Sequence, residues 1–177
     1  DVTVSAIPGI AGLEPTILFT KMSKKILIAN KEAIICGWHL IKKNAIKYKT
    51  ELVPIDSEHF SISVLLKNIK INQVEKIYLT ASGGPFLKLN INKFSKISPK
   101  DAIKHPKWSM GKKISVDSAT LMNKVLEITE AIKLFPFKLN QYEIIVHPES
   151  LIHAIIKLRK ETIKPNIVII LNGTFEC

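Results

Sequence analysis

Arginine is almost absent from this chain of 177 residues: Arg159 is the only one among 26 basic side chains. Nucleic-acid binders place arginine where phosphates and guanines need a bidentate fork, and aromatics where bases stack. Aromatics make up only 7% here, so neither signature is present. The formal charge of +11 is diffuse lysine among abundant Ile and Asn, which reads as solubility and codon drift rather than a nucleic-acid surface. Cysteine is scarce as well, and Cys36, within an apolar stretch, and the terminal Cys177 read as structural thiols rather than a disulfide. No apolar run approaches the roughly 20 residues that span a bilayer, which excludes a helical membrane role. The chain opens on Asp1 with no basic leader, and residues 2–7 already read as a strand, so a piece of a longer protein is expected rather than a secreted precursor. With 46% hydrophobic and 23% charged residues and a mean hydropathy of +0.17, the composition is that of a packed protein of one domain or two small ones.

Short β-branched runs at 2–7, 25–30, 50–56, 75–82, 112–119 and 142–148 read as strands, with helices expected near 12–22, 32–47 and 119–135. Such alternation predicts an α/β protein with parallel pairing at its start and function at the strand ends. Between Phe86 and Lys113 the pattern fades into a connection with eight lysines and one acid, Asp101, broken by a short helix starting at Ser98-Pro99.

VPIDSEH (53–59) closes an apolar strand with Asp56 and Glu58, which period-2 geometry sends to one side of the backbone. Two adjacent acids repel unless a cation or proton compensates them, although the pair alone reads more simply as a solvated strand end. The helix after Asp117 or Ser118 is expected to bury Leu121, Val125, Ile128, Ile132 and Phe135 and to present an ordered polar face. That face could hold a phosphate with Ser118, Asn123 and Lys124 while Glu127 joins Asp56 and Glu58 around Mg²⁺ or Mn²⁺; an ordinary solvated face explains it equally well. In TASGGPF (80–86), Ser82, Gly83 and Gly84 can bring backbone N–H groups to an anion. In HPKWSMGKK (105–113), His105, Trp108 and Met110 read either as a lid or as a loop anchored by an aromatic.

Taken together, ANKE (29–32), PIDSEH (54–59), ASGGPF (81–86), HPKWSMGKKISVDSATLMNK (105–124) and HPESLIH (147–153) resemble the 1-deoxy-D-xylulose 5-phosphate reductoisomerase family over about residues 2–158. The resemblance implies the later part of a Rossmann-like NADPH domain in residues 1–50, an α+β catalytic domain with a mixed sheet and a lid loop in 51–158, and a divergent tail in 159–177. It implies NADPH-dependent, metal-dependent isomerisation and reduction of 1-deoxy-D-xylulose 5-phosphate to 2-C-methyl-D-erythritol 4-phosphate, a step of non-mevalonate isoprenoid synthesis. The family's metal ligands, Mg²⁺ or Mn²⁺, fall on Asp56, Glu58 and Glu127, and its catalytic positions on these three and Lys31. Its substrate contacts fall on Lys31, Ser57, Glu58, Ser82, His105, Ser118, Asn123, Lys124 and Glu127. Asn30, Glu32 and Gly111 match positions at the nicotinamide cofactor, Trp108 and Met110 the lid, and His153 a second histidine behind the site or in the sheet. A homodimer in a bacterial cytoplasm, or in a plastid-type stroma, is implied as well.

Three departures qualify the resemblance. The Gly-rich nucleotide loop has no counterpart, the match stops after Lys157, and Val125 stands where the family has Gly, with crowding expected beside Lys124. The chain is therefore expected to bind metal and sugar phosphate but NADPH poorly. An inactive remnant of the family, a lysine-rich nucleic-acid module and a metal-free dehydrogenase are the rival readings.

Overall fold

A computed structural model describes residues 1–103 and 111–159, and the backbone of 167–171. The first layer is a parallel sheet in the order β1 (Val2–Ser5), β2 (Lys25–Ile28), β3 (Glu51–Pro54). Helices α1 (Leu13–Phe19) and α2 (Lys31–Tyr48) are its crossovers, as the alternation of the sequence predicts. The helix α3 (Ser57–Leu66) follows β3 directly. The second sheet is mixed, in the order β5 (Tyr142–Val146), β4 (Val74–Ala81), β6 (Ile152–Leu158), β7 (Ile167–Leu171). In it β4 pairs parallel to β5 and antiparallel to β6, and β6 pairs antiparallel to β7. Between β4 and β5 lie α4 (Pro99–Ala102), α5 (Lys112–Ala119) and α6 (Met122–Leu134). Among the described residues no helix is long and apolar enough to cross a membrane.

Each sheet has its own core. Ile26 and Ile28 of β2 pack on Ala33, Ile34 and Ile41 of α2, with Leu134 of α6 against them. In the second core, Ile77 and Leu79 of β4 and Ala154, Ile156 and Leu158 of β6 meet Ile62 and Leu65 of α3 and Ala131 of α6. Helices α3 and α6 therefore lie where the two layers join. Gly37 bends α2 by leaving helical geometry, and a Cβ there would come within 2.2 Å of Leu13 Cδ1 on α1, so its missing side chain permits that close packing.

Four expectations are corrected. Residues 112–119 form the helix α5, not a strand: Ile114 and Val116 mimic strand alternation, but Ser115 bonds back to the Gly111 carbonyl at 3.1 Å and Lys113 pairs with Asp117 at 2.7 Å, one turn on. Ser118 consequently sits in the last turn of α5 rather than at the positive end of a helix. The face of α6 that is buried is the polar one, with Lys124, Glu127, Glu130 and Ala131 inside, while Leu121, Val125 and Ile132 are exposed. Cys36 is exposed on α2; Cys177 lies outside the described residues. Within the segment read as a divergent tail, 167–171 continue the second sheet as β7.

Ile156 is fully buried on β6 next to the central strand β4. Ile156→Ala is expected to cost about 2–5 kcal/mol, read as a lower urea midpoint at unchanged slope.

Candidate metal and phosphate site

The site is assembled by three helix starts and one glycine turn. Asn30 caps α2, its Oδ1 accepting from the Ala33 N–H at 2.6 Å while its Nδ2 donates to the Ile7 and Gly9 carbonyls. Its amide is thus fully engaged in placing the next residue, Lys31, which is buried. Asp56 caps α3 by accepting from the Glu58 N–H at 3.4 Å, and this capping turn, not strand alternation, brings Asp56 and Glu58 together. The short step from α5 to α6 turns on Leu121, in the left-handed region at φ 59°. That corner places Ser118, Asn123 and Lys124 on the wall of one cavity, together with Glu127 one turn further along α6. Gly84, at φ +67°, lets the loop after β4 approach α5: a Cβ there would lie 3.0 Å from the Ser118 carbonyl oxygen and 3.1 Å from Ala119 Cα.

The cavity has a volume of about 540 Å³. Lys31, Asp56, Ser57, Glu58 and Glu127 line one part of it, and Ser82, Ser118, Asn123, Lys124 and His153 also face it. His153 does so from β6, where the Thr80 hydroxyl donates to its carbonyl at 3.3 Å, so the sheet role and the cavity role coincide. Glu32 and Gly111 lie outside the cavity lining, Glu32 paired with Lys113 at 3.3 Å and Gly111 exposed at the start of α5. His105, Trp108 and Met110 lie outside the described residues. Val125 is 53% exposed and does not line the cavity, so the expected crowding beside Lys124 does not arise.

Carboxylate oxygens of Asp56, Glu58 and Glu127 lie within 4.8 Å of one another. Lys124 Nζ bridges two of these acids, bonding Glu58 and, at 2.6 Å, Glu127. Lys31 Nζ stands 2.9 Å from Asn123 Oδ1, 3.3 Å from Asp56 and 3.7 Å from Glu127. Ser57 Oγ donates to Glu58 at 2.6 Å, and Asn123 Nδ2 donates to Glu127. Three oxygen acids with hydroxyl and amide neighbours form a hard-donor set, suited to Mg²⁺ or Mn²⁺ rather than zinc. Burial alone would raise Asp56, yet His59 and the Lys31 ammonium beside it hold its carboxyl well below the usual carboxylate range. Burial, reinforced by the neighbouring Glu58, pushes Glu127 up to about 7 despite Lys124. Both Lys31 and Lys124 are raised above an ordinary lysine, because the facing carboxylates outweigh their burial.

Two residues that sequence reasoning missed stand directly behind these ligands. His59 and Glu130 are fully buried, with His59 Nδ1 at 3.5 Å from Glu130 and 3.7 Å from Asp56. Glu130 is raised to about 7, chiefly by burial, and His59 is raised to about 9 because Asp56 and Glu130 outweigh its burial. Their signal was spacing: each follows a proposed ligand, Asp56 or Glu127, by one helical turn, but only the buried polar face of α6 gives that spacing meaning.

Comparison with known proteins finds one family over most of the chain. A family model described as the 1-deoxy-D-xylulose 5-phosphate reductoisomerase C-terminal domain matches residues 52–135, and one described as 1-deoxy-D-xylulose 5-phosphate reductoisomerase matches residues 1–37. The reductoisomerase of Pelagibacter ubique is 61% identical over 157 residues, covering 89% of this chain and 40% of the relative. That of Wolbachia pipientis is 50% identical, with 88% and 40% covered. Among solved structures, a reductoisomerase in complex with NADPH, fosmidomycin and magnesium superposes with a TM-score of 0.80 at 42% identity, covering 89% of this chain and 41% of that one. The Zymomonas mobilis enzyme in complex with NADPH gives 0.83 at 35% identity, covering 98% and 43%. The chain thus spans about 40% of the length of the curated relatives it matches.

A divalent ion needs Glu127 deprotonated, so below about pH 7 it must displace a proton. Mn²⁺ affinity is expected to climb as pH rises toward about 7, by at most tenfold per unit, and to level off above it. Calorimetry in buffers of different ionisation heat checks this through proton release per ion. An affinity flat from about pH 5.5 to 8.5 would count against Glu127 as a ligand.

Proposed function

Because the chain belongs to the 1-deoxy-D-xylulose 5-phosphate reductoisomerase family, we propose that it provides the metal- and substrate-binding part of an NADPH-dependent reductoisomerase. The reaction is the rearrangement and reduction of 1-deoxy-D-xylulose 5-phosphate to 2-C-methyl-D-erythritol 4-phosphate in isoprenoid synthesis. One observation carries the reading: Asp56, Glu58 and Glu127 converge within 4.8 Å on a cavity that also collects Ser82, Ser118, Asn123 and Lys124. Relatives of this fold have been solved with magnesium, with NADPH and with fosmidomycin, which supports Mg²⁺ or Mn²⁺ and NADPH as the cofactors. Bacterial relatives such as that of Pelagibacter ubique support a bacterial cytoplasmic location, and the family resemblance supports a homodimer.

In this reading Asp56, Glu58 and Glu127 hold the divalent ion, which when bound supplies a Lewis acid for the ketone and hydroxyl oxygens of the sugar. The residues of the chain do the remaining work. Ser82, Ser118, Asn123 and Lys124 take the phosphate, turning remote binding energy into orientation at the reacting carbons. Ser57, bonded to Glu58, takes a substrate hydroxyl beside the ligands. Lys31, at the start of α2, keeps a positive charge between Asp56 and Glu127 and offers it to oxygen charge that develops on the substrate. Family resemblance would put Glu32 and Gly111 at the nicotinamide, whereas the Asn30 side chain acts only through its cap, since its amide already has three backbone partners.

Lys124 links the two halves of the site. Its ammonium is engaged with Glu58 and Glu127, so it reaches a phosphate freely only when another cation takes those oxygens. Titration of the sugar phosphate into the chain is therefore expected to show an affinity at least about tenfold higher with saturating Mn²⁺ than without, roughly 1.4 kcal/mol of coupling. Glu127→Gln is expected to abolish both the Mn²⁺ heat and the coupling. A folded chain that binds neither ligand would mean that the family's motifs persist without its site, and the inactive-remnant reading would stand.

A further inference from the structure

The buried pair behind the ligands has a hydrogen-bonding problem that defines its role. His59 Nε2 lies 2.9 Å from the main-chain carbonyl oxygen of Glu127, and a carbonyl only accepts, so Nε2 carries a proton. In a neutral ring Nδ1 would then turn a lone pair toward two carboxylates, Glu130 at 3.5 Å and Asp56 at 3.7 Å. One further proton, on Nδ1 or on Glu130, removes the conflict. It also supplies a partner for His59 Nδ1 and Glu130 Oε2, buried atoms that have none among the described residues. The ring is held in plane against Phe135, at 6.4 Å between centroids and 15° between planes. His59 is thus a fixed strut. It starts on α3 one turn after Asp56 and ends on the backbone of Glu127 in α6, and Glu130 buttresses it from the next turn of that helix.

We propose that His59 and Glu130 are positioning residues, a buried dyad that sets Asp56 and the Glu127 main chain in the relative geometry a divalent ion requires. The proposal rests on the reading of Asp56, Glu58 and Glu127 as metal ligands. Neither member of the dyad lines the cavity, so neither touches substrate; they act through the ligands they brace. A ligand on α3 and one on α6 have no covalent link shorter than the intervening chain, and misplacement by a fraction of an ångström is enough to weaken a site.

The test is Mn²⁺ affinity, measured on the full chain by calorimetry and by the Mn²⁺ electron paramagnetic resonance signal, alongside thermal melting without metal. His59→Gln and Glu130→Ala are each expected to weaken Mn²⁺ binding by about 10–100-fold at temperatures well below their melting points. Combined, they are expected to cost little more than either alone, because they remove one device. Glu130→Gln, whose amide can donate to Nδ1, is expected to restore most of the affinity that Glu130→Ala loses. A merely structural pair would lower the melting temperature and leave the affinity of the folded protein unchanged, which would overturn the proposal. So would a second bound Mn²⁺ that disappears in Glu130→Ala, since Asp56, His59 and Glu130 would then be ligands themselves. If His59→Gln does not fold, the two Glu130 variants decide. Glu127→Gln separates the two levels of inference: retained Mn²⁺ binding there refutes the metal reading, whereas loss there with intact binding in folded Glu130→Ala refutes the dyad alone.

Discussion

Three carboxylates within 4.8 Å of one another, two of them buried, hold together only where positive charge reaches them. The described side chains supply it from two ammonium groups, with His59 braced behind them, and together the three side chains tie α2, α3 and α6. Lys31 joins α2 to the cap of α3 and to α6; Lys124 joins α6 to α3; His59 joins α3 to the backbone of α6. The ion network is therefore also the joint between the parallel and the mixed sheet. Removing one member of such a buried pair typically costs about 3–5 kcal/mol, because the other charge is stranded. Site and fold in this part of the chain share the same residues, and a sequence that kept the fold while discarding the acids would have to replace the lysines too.

Helix α6 shows how far this constraint overrides ordinary packing. By hydrophobic pattern it would bury Leu121, Val125, Ile128, Ile132 and Phe135, yet it turns Lys124, Glu127 and Glu130 inward and leaves Leu121, Val125 and Ile132 exposed. Only Ile128 and Phe135 of that stripe pack against the core, near its C-terminal end, where Ala131 also joins the second core. The helix is thus split along its length: its first turns serve the cavity and its last turns serve the core. A period analysis averages over the whole helix and cannot separate the two.

The same split explains what was legible in the sequence. The parallel β-α-β-α-β start was readable because each strand is a short buried β-branched run and each crossover a longer amphipathic one. The three acids were recognisable from their motifs, but the reasons for their convergence were not. Asp56 and Glu58 meet through a helix cap where a strand end was expected, a cue present in the Asp followed by an acid two residues on. Helix α5 reads as a strand because Ile114 and Val116 alternate with Ser115 and Asp117, although Lys113 and Asp117 are spaced for a helical pair. The dyad of His59 and Glu130 is illegible for a deeper reason: its meaning is tertiary, fixed by which face of α6 is inside.

The balance of charge in the cavity also accounts for the order in which its parts can be used. Among the described residues, Asp56, Glu58 and Glu127 face two ammonium groups, while His59 and Glu130 compensate each other, so this cluster is one positive charge short of neutrality. Burial raises Glu127 first and that shortage adds to it, since a proton is the smallest cation that can make it good. A divalent ion in the proton's place would reverse the sign of this cluster and free Lys124 from its two partners. The wall would then attract a phosphate dianion rather than repel it. In the proposed reading, metal and sugar phosphate would therefore each favour the other's binding, through electrostatics already built into Lys124 and Glu127.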